Sequence, residues 1–260
     1  MPPLHLLALR VVLGTFLMTL LGGCEGATPT APDPRRSIVQ SQSSFESPAT
    51  LDFKPVIEAL FFGTGPLARL DSPGCDNTLQ RMRGWPRGSR VHVVSYASVD
   101  AERRETVERT LEQAQSIFGG TLTTDYTARD DADEPSGSPE GEIAVFGVTA
   151  RRAPVLCGSS ATNCQVVRYN AGAYIASRVI LSTPFVAASN GIVAHELGHA
   201  FGLCHIDPTR AGLDSAVSIM GNSGAGAWTP LDFEAFRLVY GAGLSPGDPR
   251  QRFVSAGLIN

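Results

Sequence analysis

The 260-residue sequence predicts an α+β fold over residues 91–242. Segments rich in β-branched residues recur at 91–96, 121–127, 142–149 and 174–182, as strands do. Helical spacing marks 101–118, and further helices are expected at 187–201 and 230–241. Hydrophobic residues make up 43% of the chain and charged ones 18%, enough apolar surface to build a core and too little charge for wholesale disorder. A formal charge of −4 excludes a strongly basic surface, so no nucleic-acid partner is expected.

Taken in order, the chain begins with an address. Residues 11–23, VVLGTFLMTLLGG, follow Arg10. A spanning helix needs roughly 20 apolar residues, so this run is short for crossing a bilayer and suits the centre of a secretory signal peptide, residues 1–23. It ends in Leu21-Gly22-Gly23-Cys24, which resembles the lipobox of bacterial lipoproteins. That resemblance implies lipidation at Cys24 and a membrane partner: an extracytoplasmic domain anchored to the bacterial cell envelope, or a secreted one if Cys24 stays unmodified. Residues 24–50 are dominated by Pro, Ser, Thr and Gln and read as a flexible linker. Residues 51–90 read as an N-terminal extension, with one short helix stopping at Gly63 and then repeated Gly and Pro.

The main domain opens with a strand at Val91–Tyr96. Asp100 can cap the next helix, on which Val107, Leu111, Ala114 and Phe118 form an apolar stripe, and Gly119-Gly120 ends it. Strands at Thr121–Thr127 and Glu142–Thr149 flank the acidic loop Asp130–Glu140. A strand at Tyr174–Ser182 precedes the helix near Ala187–Phe201. The last helix starts at Thr229-Pro230, with Thr as cap and Pro in the first turn, and stops at Gly241. Residues 243–260 are left as a C-terminal tail.

Residues 195–205 read HELGHAFGLCH. His195 and His199 stand one helical turn apart on one face, where two neutral imidazoles can bind one Zn²⁺. Glu196 between them is placed to act on water rather than to ligate. Gly202 lets the backbone leave the helix so that His205 returns as third ligand. Three protein ligands leave an open position, the mark of a catalytic zinc. At this chain's own residue frequencies the whole pattern arises by chance in on the order of 1 in 100,000 such chains. The predicted metal ligands are therefore His195, His199 and His205, with Glu196 as the catalytic residue. His92, alternating with valines, reads as a polar strand position. Asp130, Asp131, Asp133 and Glu134 lack calcium-loop spacing and read as a solvated loop; Ca²⁺ is possible there but unsupported.

The pattern H-E-x-x-H-x-x-G-x-x-H resembles the metzincin metalloproteases, and within them the matrixins. Ser218-Ile219-Met220-Gly221 is similar to that family's methionine turn, and WTPLDFEAFRLVYG at 228–241 to its C-terminal helix. The resemblance implies a small twisted mixed sheet, a long active-site helix, and a zinc endopeptidase in which Glu196 assists attack of water on a peptide carbonyl. It also implies that Tyr174–Ser182 is the sheet edge facing the cleft, where an extended substrate adds as a strand. Gly221–Trp228 would form the outer wall of a specificity pocket, with Trp228 either lining it or packed in the core. His92 is the only other histidine after the signal segment, so the matrixins' second, structural zinc is not expected.

Two other classes remain open: a catalytically silent binding module that keeps the metal for structure, and a zinc hydrolase of non-peptide amides. A protein or peptide substrate and a monomeric chain are expected. Beyond Cys24 the cysteines are Cys75, Cys157, Cys164 and Cys204, which allow three pairings. The short flexible spacing favours Cys157 with Cys164, which leaves Cys75 with Cys204. The alternative, by analogy with the matrixins, is a Cys75 thiolate on the zinc that keeps the enzyme latent, although DSPGCDN does not match their motif.

Overall fold

A computed structural model describes residues 51–69, 75, 80–118, 120–131, 134–135, 137–158, 161–184, 189–222 and 225–260. The signal segment, Cys24 and the linker lie outside the described residues. The structure is mixed α/β, with one five-stranded, mostly parallel sheet.

Helix α1 (Phe53–Phe62) is capped at its start by the Asp52 carboxylate, which accepts from the Lys54 amide, and closed by Gly63 at φ 63°. Strand β1 (Arg90–Ser95) leads into helix α2 (Ala101–Phe118), where the Asp100 carboxylate accepts from the Arg103 amide as the expected cap. Strands β2 (Thr123–Ala128) and β3 (Glu142–Thr149) follow, then a short helix α3 (Ala153–Cys157). Strands β4 (Cys164–Asn170) and β5 (Ala173–Thr183) form a hairpin that feeds helix α4 (Ser189–Ala200). Helix α5 (Pro230–Gly241) and a short helix α6 (Arg250–Ser255) complete the chain.

The strand order is β2-β1-β3-β5-β4, with only β4 antiparallel to its neighbour. Two differences from the sequence expectation follow. Tyr174–Ser182 falls within an interior strand, β5, paired on both sides; the edge on that side is β4, a segment for which the sequence predicts no strand. Strand β4 carries only Val166 and Val167 as β-branched residues, and it turns into β5 through Ala171 and Gly172 at φ 48° and 89°. Two central residues with positive φ match the twist of a two-residue hairpin, but Ala at the first hides the signal that Asn-Gly would give. Residues 243–260 are not a loose tail either. Phe253 and Ile259 are buried, Phe253 packs edge-on against Phe62, and Arg250 pairs with Glu58 at 2.6 Å.

Alternation along the strands divides the core. Val91, Val93, Ile143, Val145, Val179 and Leu181 face the main core beneath the helices. Val94, Ala144, Phe146 and Ile180 point to the other face and pack with Ala153 of α3. Period-2 burial on both faces explains why β3 reads as a nearly continuous apolar run. At the centre of the main core, Phe118 from the end of α2 packs against Phe201, Phe236 and Tyr240. That cluster anchors the C-terminal end of α4, which carries the histidines.

Candidate metal centre

Helix α4 presents His195 and His199 one turn apart, as their spacing predicts. It ends in a paired backbone closure: the Leu203 amide donates to the Gly198 carbonyl at 3.0 Å and the Gly202 amide to the His199 carbonyl at 2.9 Å. This six-to-one and five-to-two pattern needs a left-handed residue at the closure, and Gly202 sits at φ 102°. Gly202 is required for space as well, since a Cβ there would lie 2.5 Å from the Arg83 carbonyl oxygen. The Trp85 indole N–H donates to the Ala200 carbonyl at 2.8 Å, supplying a partner that the helix end lacks.

The chain then returns past the helix face and brings His205 to the other two rings. His205 Nε2 lies 2.8 Å from His195 Nε2 and 3.0 Å from His199 Nε2. Two rings are oriented from behind by carbonyls: His195 Nδ1 donates to Ile219 O at 2.8 Å, and His199 Nδ1 to Leu203 O at 2.7 Å. With those protons on Nδ1, both Nε2 lone pairs face His205, which can donate one proton to one of them at most. Burial holds the His195 pKa below its ordinary value and that of His199 well below, so both are neutral and ligand-competent. Converging lone pairs on neutral imidazoles fit a divalent metal ion, and the three histidines are the one such group among the described residues.

Glu196 points into the same cleft. It is buried, its Oε2 has no hydrogen-bond partner among the described residues, and burial pushes its pKa up to about 8. A carboxylate oxygen buried without a donor is costly unless something else in the site uses it.

Beneath the histidines lies the turn Ser218-Ile219-Met220. Met220 is fully buried, and its Sδ occupies the space that a Cβ on Gly198 would need, 2.5 Å away. The turn is fastened by Asp232, a residue that the sequence reading passed over. Its carboxylate accepts from the Ser218 hydroxyl at 2.6 Å, the Ile219 amide at 3.0 Å and the Thr229 amide at 2.9 Å. The carbonyl of the same residue accepts from His195, so Asp232 steadies the His195 ring through the backbone of Ile219. The signal was present as a capping box, with Thr229 as cap and Asp232 three residues on.

The cleft has a volume of about 540 Å³. Its floor holds His195, Glu196, His199 and His205, and its far wall is the edge strand β4, through Gln165, Val166, Val167 and Tyr169. Trp228 does not line it: the ring is buried, stacked on Phe236, with its N–H donated to the Ala194 carbonyl at 2.8 Å. Asp130 pairs with Arg104 and Glu134 with Arg152, whereas Asp133 lies outside the described residues. His92 sits on β1 beside its register partner Asp125.

Both expected disulfides are present. Cys157–Cys164 ties α3 to the start of β4, and Cys75–Cys204 spans 129 residues with its Cα atoms 5.7 Å apart. With its sulfur bonded to Cys204, Cys75 offers the histidine cluster no free thiolate in this structure. Comparison with protein-family models, with curated proteins and with solved structures finds no match to this chain.

Proposed function

We propose that this protein is a zinc-dependent endopeptidase of the metzincin kind, acting outside the cytoplasm. The observation that carries the reading is the convergence of three imidazoles, two of them held neutral by burial, beside a buried carboxyl group with an unpartnered oxygen in an open cleft. A structural metal needs the histidines alone. A carboxylate kept at the metal without a partner favours catalysis over a metal-stabilised binding module. The buried methionine under the histidines, the five-stranded sheet with one antiparallel edge, and the helix behind the turn support the matrixin-like assignment.

His195, His199 and His205 would hold the metal. A zinc ion there supplies Lewis-acid chemistry, bringing water within reach of ionisation near neutral pH and polarising a carbonyl. Glu196 takes the proton as water attacks the peptide carbonyl and passes it to the leaving amine. Strand β4 offers an unpaired sheet edge along the cleft, on which an extended substrate adds by main-chain hydrogen bonds. Two disulfides suit an oxidising, extracytoplasmic compartment, and no helix among the described residues is long and apolar enough to cross a membrane. The lipobox-like Leu21-Gly22-Gly23-Cys24 supports attachment through lipid on Cys24.

The test separates binding from turnover. Glu196→Ala should retain about one zinc per chain and lose cleavage of a peptide library, while His199→Ala should lose both. Near-normal cleavage by Glu196→Ala would remove the general base from the mechanism.

A further inference from the structure

The third histidine is held differently from the first two. His195 and His199 inherit their positions from a helix, whereas His205 lies on an extended stretch, 203–207, with no helix of its own. The backbone of that stretch is fastened mainly from the N-terminal extension. The Cys204 amide donates to Leu60 O and the Asp207 amide to Leu67 O, both at 2.7 Å, and Ile206 bridges to Ala68. On its opposite side the Ile206 amide donates to Met220 O at 3.3 Å. The Arg210 guanidinium, just beyond, donates to the carbonyls of Pro66 and Ala68. The residue directly before the ligand, Cys204, is buried and covalently joined to Cys75, which itself lines the cleft.

We propose that the extension is a built-in clamp for the metal centre, and that the Cys75–Cys204 bond positions His205 and so sets metal affinity. This rests on the metal-binding reading of the three histidines. Among the described residues the extension contributes no ligand; it holds the one ligand that the active-site helix cannot hold. Its removal as a propeptide would therefore weaken the centre rather than uncover it. Cys75, Cys204 and Arg210 are positioning residues, acting on the metal through the backbone at 203–207. Contacts of this kind behind a ligand typically change metal affinity by about 10- to 100-fold.

The experiment uses the full chain with Cys75→Ala and Cys204→Ala together. Zinc dissociation constants come from competition with a chromophoric chelator, and circular dichroism reports the folded fraction. The expected result is zinc binding weakened by about 10-fold or more in folded protein. In the metal-free protein, the ¹⁵N imidazole signals of His205 should broaden while those of His195 and His199 stay sharp. Loss of a disulfide that only supports the fold would lower the melting temperature without either change. Should the double variant fail to fold, Arg210→Gln, which removes the guanidinium's hydrogen bonds to Pro66, Ala68 and Asp207, provides the milder test, with several-fold weaker zinc binding expected. An unchanged dissociation constant in folded variants overturns the clamp. If the parent chain binds no zinc, the metal reading itself fails. The imidazole spectra then decide the clamp alone, and a His205 signal as sharp without the disulfide as with it overturns the proposal.

Discussion

Gly198, inside the helix that carries His195 and His199, allows the packing under the histidines to be tested by adding a single methyl group. On an unobstructed helix Gly→Ala stabilises by about 1 kcal/mol, because glycine loses more backbone freedom on folding. Here the new Cβ would lie 2.5 Å from Met220 Sδ, whereas ordinary carbon contacts sit near about 3.5–4.0 Å. The sulfur must move by about 1 Å. Met220 is fully buried, its amide donates to Ser218 Oγ at 3.1 Å, and its carbonyl accepts from Ile206. Leu203 Cδ1 closes the same space at 3.8 Å. Overfilling a packed interior costs about 1–3 kcal/mol, so Gly198→Ala should come out between neutral and about 2 kcal/mol destabilising. Met220→Ala alone should cost about 2–5 kcal/mol by leaving a cavity. In the double variant the new methyl group enters that cavity. The pair should therefore cost about 1–3 kcal/mol less than the sum of the two singles. Urea unfolding of the four oxidised proteins measures this cycle. Stabilisation of about 1 kcal/mol by Gly198→Ala, or simple additivity, would refute the argument that Met220 is packed against the helix at this glycine.

Two further outcomes are expected. Asp232→Ala strips the acceptor from the Ser218 hydroxyl and from two amides, and should destabilise the chain by about 3 kcal/mol or more while weakening zinc binding through Ile219 and His195; unaltered zinc affinity in the folded variant would cut that link. Cys24→Ser should move the protein from the detergent to the aqueous phase on partitioning, and an unmodified parent N-terminus would end the lipoprotein reading.

The histidine cluster was legible in the sequence because its information is local. His195 and His199 share a helix face by spacing alone, and Gly202 announces the left-handed closure that sends the chain back to His205. Helices α2 and α5 were legible for the same reason, each carrying its cap and stop within a few residues. Strand β4 was not, because what makes it a strand is its pairing with β5 rather than its composition. Its two valines and the Ala171-Gly172 turn weigh little until β5 lies beside them. The misplaced edge followed directly: with β4 unseen, the next strand in line took its place.

The support behind the site escaped the sequence for a related reason: it is made of backbone groups, and backbone groups carry no residue signature. Leu60 and Leu67 act on the His205 segment through carbonyl oxygens that any residue would supply. Nothing in their side chains, chosen for the core, advertises the contact. Only where such support runs through a side chain does it leave a trace, as with Trp85 on Ala200, Asp232 on Ile219 and Cys75 on Cys204. The covalent one is within reach of counting, because four cysteines beyond Cys24 allow only three pairings. A hydrogen-bonding side chain offers no such count, since a tryptophan or an aspartate has many possible partners and a cysteine in this chain had three. How far a supporting contact can be read ahead of the structure thus depends on how few partners its chemistry allows.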